Sequence, residues 1–339
     1  MKEKAGNVFS GQRALFSYLT PGSLGLTPLV ELPPILNPFA RDKVRIFVKL
    51  TQFLPLANIK SLPSYLMLRN LRAKNVRNLV EYSSGNTVLS LTILSKHFGI
   101  PNMHAIVTPD VPEHKKRLLR LVGANLLISH GPPSPGVFDA TGGIADAMKL
   151  GSQKGWHNFN QYINPRNPEA ARDYVGKEIW KQVGKELTFF VSSIGTGGTV
   201  LGAGSYLKKK NKKIKVLGVA IKEGSSIPGP RGEGAIDKLG LPWRKAVDEV
   251  IAIDEKNAFG GSLELIRAGL FVGPWTGMQL AGLLAKLKEY RKKKKLNSLR
   301  NRRGEVLATF IACDTMFPYI DDYFSILPKN YFPKIKHLK

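Results

Sequence analysis

Acidic residues are scarce in this chain of 339 residues: 25 Asp and Glu stand against 51 Lys and Arg, a formal charge of +26. Cysteine is nearly absent. The single Cys313 excludes an internal disulfide framework and any zinc site built on cysteine pairs. The six histidines form no spaced ligand set, so no metal is expected. No apolar run is long enough to cross a bilayer as a helix, and no apolar leader opens the chain; a soluble, cytoplasmic protein without a membrane partner is expected. Aromatics are missing from the basic runs at 208–213 and 291–295 and around Arg300, Arg302 and Arg303. These runs follow helix-like segments and read as solvated helix ends, not as a specific nucleic-acid surface. Their charge predicts only salt-sensitive attraction to polyanions.

What is present is a glycine-rich turn, Ser193-Ile194-Gly195-Thr196-Gly197-Gly198-Thr199-Val200. It follows an apolar strand-like run at 187–194 and opens a helix-like segment at 200–207. Such a turn points backbone N–H groups at an anion, and the helix N-terminus adds positive potential. A P-loop needs Gly-Lys-Ser/Thr after the turn, and no Lys follows here. A dinucleotide fingerprint counted from Gly195 and Gly197 needs a small residue where Val200 stands. Thr196 and Thr199 instead place hydroxyls beside the amides, which suits a small phosphate monoester such as that of pyridoxal phosphate.

The rest of the chain alternates. Strands are expected at 44–50, 78–82, 104–108, 126–129, 187–194, 215–221, 249–253 and 306–312. Helices are expected at 62–73, 87–98, 113–122, 142–150, 172–183, 200–207 and 277–290, with Ser61 as a cap of the first and 131–136 as Gly/Pro punctuation. This is an α/β protein with mainly parallel sheets, whose chemistry belongs in the loops beyond the strand C-termini. Three more such loops stand out. Lys60 lies between Pro55 and Pro63 in an apolar setting that lowers an amine pKa. Ser83-Ser84-Gly85-Asn86-Thr87 offers hydroxyls and an amide at a helix start, for a carboxylate or as a plain cap. Cys313-Asp314-Thr315 closes the last strand.

Together these loops resemble the tryptophan-synthase-β-like, fold type II pyridoxal-phosphate enzymes, cysteine synthases in particular. The resemblance runs in order from about Leu24 to Tyr319. It includes Leu24-Gly25-Leu26-Thr27-Pro28-Leu29-Val30-Glu31-Leu32, Gln161-Tyr162-Ile163-Asn164-Pro165, Glu178-Ile179-Trp180, and Glu223 to Arg231, the last similar to B-type cysteine synthases. The resemblance implies pyridoxal 5′-phosphate on Lys60 as Schiff-base lysine and catalytic base. It implies a phosphate site at Gly195, Thr196, Gly197, Gly198 and Thr199, Asn86 at the cofactor's 3′-oxygen and Thr315 facing the pyridine nitrogen. Ser83, Ser84, Gly85, Asn86, Thr87, Gln161 and Arg231 would bind the substrate, although Arg231 reads equally well as a solvated loop cation.

The implied architecture is two domains, each a mainly parallel twisted sheet flanked by helices, with the cofactor in the cleft between them. An N-terminal extension covers 1–23, a large cofactor-binding domain 24–54 and 152–330, and a small mobile domain 55–151. The implied reaction is β-elimination and β-replacement on O-acetylserine or O-phosphoserine with sulfide or another thiol, in a homodimer. Departures from the family pattern are Asn58 two residues before the lysine, Ser61-Leu62 after it, and Trp275 where a Ser is usual. Trp275 faces either the substrate side or the helix behind it. Alternatives are a cystathionine β-synthase-like, diaminopropionate synthase-like or serine/threonine dehydratase-like enzyme, a degenerate binding homologue, and a nicotinamide-dependent enzyme, against which Val200 argues.

Overall fold

The computed structural model describes residues 7–132, 134–225, 227, 229 and 231–336. Of the segments singled out above, Pro133, Ser226, Pro228 and Pro230 lie outside the described residues. The strands are β1 (Leu29–Glu31), β2 (Val44–Lys49), β3 (Asn78–Tyr82), β4 (Asn102–Val107), β5 (Asn125–Ile128), β6 (Trp156–Asn158), β7 (Leu187–Ser193), β8 (Lys215–Ile221), β9 (Glu249–Ile253) and β10 (Val306–Ile311).

They make two sheets. The larger has the order β1-β2-β10-β7-β8-β9 and the smaller β5-β4-β3-β6. Among the described residues, only the β1–β2 strand pair is antiparallel. Strands β7 and β10 are buried at every position, because helices cover both faces of a parallel sheet. That is why they read as continuous apolar runs rather than alternating ones.

The expected α/β class with mainly parallel, helix-flanked sheets is observed. Several details differ. Strand β6 was not anticipated, since Trp-His-Asn carries no apolar run; it pairs with β3 and extends the small sheet past residue 151. The helix expected at 62–73 spans Ser61–Arg69. It ends at Asn70, whose backbone N–H and carboxamide both donate to the Leu66 carbonyl, at 3.1 and 2.8 Å. Ser61 lies inside that helix, and the capping oxygen is Oδ1 of Asn58, which accepts the Ser61 N–H at 3.2 Å. The helix expected at 172–183 begins earlier, as Arg166–Ala171, and passes through a π-helical turn at Arg172–Gly176. Helix Glu255–Arg267, capped by Asp254, was not read from the sequence.

Within residues 1–23, helix Ala14–Leu19 packs against the smaller sheet's core. Leu19 is buried with Tyr65, Leu68 and Leu91 in the core under the small sheet, and Phe16 stacks against Tyr65 and Phe98. Beside the large sheet, Lys49 is fully buried and donates to the Glu178 carboxylate at 2.6 Å. The same carboxylate oxygen accepts the Thr27 N–H and hydroxyl, which ties the Thr27-Pro28 segment to the helix carrying Glu178. The basic runs are exposed helix ends and loops; Lys208 closes helix Gly198–Lys210 and pairs with Asp248 at 2.6 Å.

Candidate active site

The C-terminal ends of β2, β3, β7 and β10 surround a cavity of about 560 Å3, within the range that holds a cofactor plus a small substrate. Lys60 enters it from the loop after β2. That loop is held in place by β10: the Ile59 N–H donates to the Cys313 carbonyl at 2.8 Å, and Asn58 bridges Asp314. Leu56 and Ala57 both have positive φ, 69° and 53°, so the backbone before the lysine stores strain that its contacts must offset. The half-buried Lys60 side chain lines the cavity. Burial pushes its amine down to about 8, against the opposing pull of Cys313 and Glu81. A substantial neutral fraction at physiological pH follows.

The glycine turn lies across the cavity. Gly197 sits at φ +81°, and a Cβ there would fall 2.8 Å from the Trp243 Cβ. A Cβ at Gly198 would fall 2.2 Å from Oδ1 of Asn167. Both positions therefore demand glycine, and within the turn the Gly198 N–H donates to Oγ1 of Thr196 at 3.4 Å. The helix starts at Gly198, two residues before the expected 200, which brings its N-terminus closer to the turn. Val200 is buried in the core.

Ser83, Ser84, Gly85, Asn86 and Thr87 line the cavity from the end of β3. Thr87 donates to Oε1 of Gln161 at 2.7 Å, and Nδ2 of Asn167 donates both to the Gln161 carbonyl and to Oγ1 of Thr196, each at 2.8 Å. One continuous network thus joins the serine loop to the glycine turn. Asn167, 2% exposed, was missed from the sequence because only the fold brings these loops together.

Asn86 donates to Oδ2 of Asp314 at 2.6 Å, and the Tyr319 hydroxyl donates to the same oxygen at 2.6 Å. Asp314 is buried, and its carboxyl is pushed up to about 6. Thr315 does not line the cavity; Cys313 and Asp314 do. Thr315 comes after the Asn58–Asp314 bridge, where the chain is already entering the turn at Phe317–Tyr319. The Cys313 thiol is held by Gln279, whose Nε2 also donates to the carbonyls of Ile311 and Trp275. Burial pushes that thiol up to about 12, so it is a neutral S–H.

Arg231 is no solvated cation. It is 4% exposed, donates to the Pro135 carbonyl at 2.7 Å, and stacks 5.0 Å from the Tyr162 ring centroid while lining the cavity. Trp275 also lines the cavity.

These residues fit pyridoxal phosphate. The glycine turn and the N-terminus of helix Gly198–Lys210 line the cavity where a phosphate would sit, Thr196 and Thr199 add hydroxyls, and Lys60 supplies an amine that is readily neutral.

Residues 21–298 match the family described as pyridoxal-phosphate dependent enzyme. The chain is 32% identical over 269 residues to cysteine synthase B of Salmonella typhimurium, covering 77% of this chain and 85% of that protein. It is 29% identical to N-(2-amino-2-carboxyethyl)-L-glutamate synthase of Ralstonia nicotianae, covering 83% and 86%. Among solved structures, O-acetyl serine sulfhydrylase isoform 3 from Entamoeba histolytica superposes with a TM-score of 0.73 at 26% identity, covering 97% of this chain and 95% of that one.

Proposed function

The chain belongs to the pyridoxal-phosphate dependent enzymes of fold type II, with cysteine synthase homologues, and on that premise we propose that it performs β-replacement on an O-activated serine. The donor is O-acetylserine or O-phosphoserine, the nucleophile is sulfide or another small thiol, and the product is cysteine or an analogue. The carrying observation is one cavity that collects Lys60, the glycine turn and the serine loop.

In this reading the amides and hydroxyls of Gly195 to Thr199 hold the phosphate, and Nζ of Lys60 holds the cofactor and then accepts the proton from the substrate Cα. The cofactor supplies the electron sink for that deprotonation. Ser84, Gly85 and Thr87 bind the substrate carboxylate, with Gln161 fixing the Thr87 hydroxyl. Asn86 would hold the cofactor with the amide hydrogen not given to Asp314. Cys313, which lines the cavity as a neutral S–H, would add no charge beside the cofactor's ring. Arg231 serves the donor's leaving group. The unit around β3 to β6 closes over the substrate, and the enzyme works as a cytoplasmic homodimer.

The test is spectroscopic. O-acetylserine added to the purified holoenzyme should change its visible cofactor spectrum, and sulfide should restore it with release of cysteine. No change with either donor would reject the reading. The Ralstonia relative favours a second reading, a nitrogen nucleophile; restoration by amines but not by sulfide would select it.

A further inference from the structure

Trp275 is the second residue of helix Pro274–Lys292, whose N-cap is Gly273. Its carbonyl accepts Nε2 of Gln279 at 3.0 Å, which fixes the helix start against β10. The indole is half-buried, packs against both cores of the large sheet, and forms part of the cavity wall. Its rim occupies the space that side chains at two glycines would need. A Cβ at Gly195 would fall 3.0 Å from Cη2, and one at Gly229 would fall 2.1 Å from Cζ2. Gly229 has φ +107°, a conformation few other residues adopt. Gly195 begins the phosphate cradle, and Gly229 leads into Arg231, whose N–H donates to the Ile194 carbonyl at 3.2 Å. The ring is therefore wedged between two backbone segments that are tied to each other, with a helix behind it.

We propose that Trp275 is a specificity-determining residue that limits the incoming nucleophile to a small one, sulfide or a short alkyl thiol, and excludes aromatic or amino-acid-sized nucleophiles. The proposal rests on the β-replacement reading. A substrate whose carboxylate sits on the Ser84–Thr87 loop of the smaller sheet directs its Cβ substituent to the facing wall. Gly229, Arg231 and Trp275 build that wall from the larger sheet's side. Because the indole rim packs against Gly195 and Gly229, it sets how wide a Cβ substituent the cavity accepts. A serine-sized residue at 275 would open the space between Gly195 and Gly229 sideways.

The test uses equilibrium binding of unreactive thioether amino acids to holoenzyme, read from the cofactor spectrum, so it does not depend on turnover. The probes are S-methyl-L-cysteine and S-phenyl-L-cysteine. Trp275→Ser should raise the affinity ratio of the phenyl to the methyl compound by about tenfold or more, the range for filling an apolar pocket. Trp275→Phe, which keeps most of the ring and guards against a folding failure of the serine variant, should raise it by less than about threefold. Trp275→Leu should fall between them. An unchanged ratio across the three variants overturns the proposal. So does loss of cofactor affinity with the ratio unchanged, because the ring would then only support the phosphate turn. A change in ratio without any response of the wild-type enzyme to O-acetylserine would keep the wall and reject the donor.

Discussion

The Asn86 carboxamide donates to the Asp314 carboxylate at 2.6 Å, joining the helix after β3 to the chain leaving β10. Asp314 also bridges Asn58 through the backbone, and its carbonyl accepts the Gly273 N–H at 3.1 Å. Four loops that form the cavity wall thus converge on one buried acid. Removing the carboxylate in Asp314→Ala should free Asn86 and lower cofactor affinity about tenfold, the worth of a hydrogen bond to a charged group. The group's folded pKa of about 6 lies above its ordinary value, so its charge costs stability above pH 6, and that cost is relieved as pH falls below it. Acidification to pH 5 should therefore weaken cofactor binding without loss of stability through this group. Cofactor titration and thermal melts across pH 5–8 check both signs.

Lys60→Ala should abolish the visible band of lysine-bound cofactor and all turnover. With the amine at about 8, attachment of cofactor to the apoenzyme should speed up as pH rises and level off above about 8. An exposed lysine would keep rising toward its ordinary value. Stopped-flow reconstitution at several pH values distinguishes the two.

Gly197→Ala forces a side chain onto φ +81° and to within 2.8 Å of Trp243. The left-handed conformation alone costs about 1–2 kcal/mol. Cofactor affinity should fall at least tenfold, measured by equilibrium dialysis.

Glu178→Gln leaves the fully buried Lys49 without its charge partner. Stability should fall by about 3–5 kcal/mol, as for other broken buried pairs. Denaturant unfolding of the holoenzyme measures this. Replacing both residues by apolar ones of similar volume should cost much less.

Arg231→Ala should reduce kcat/KM for O-phosphoserine more than for O-acetylserine. A charge-assisted hydrogen bond is worth about 1.5–3 kcal/mol, or ten- to a hundredfold. Arg231→Lys should not rescue it, because an ammonium cannot both reach the Pro135 carbonyl and stack on Tyr162 as the guanidinium does. Equal losses for both donors would leave Arg231 a purely structural role.

The sequence by itself determined the parallel α/β class, the glycine turn and the loop that presents Lys60. These rest on local signals: a continuous apolar run, a glycine where φ must be positive, a strand handing over to a helix. Other features depended on partners far along the chain. Nothing near Asn167 shows that its amide ties Gln161 to Thr196. Nothing near Thr315 shows that the chain has left the cavity by that point, so that Cys313 lines it instead. Strand β6 is three half-buried residues that become a strand only because β3 offers an open edge. Trp275 could be noticed in the sequence, but which wall it forms depends on Gly195 and Gly229, brought to it by separate strands of the larger sheet. Local periodicity encodes elements; which side chains meet at their ends is decided by sheet order and helix packing.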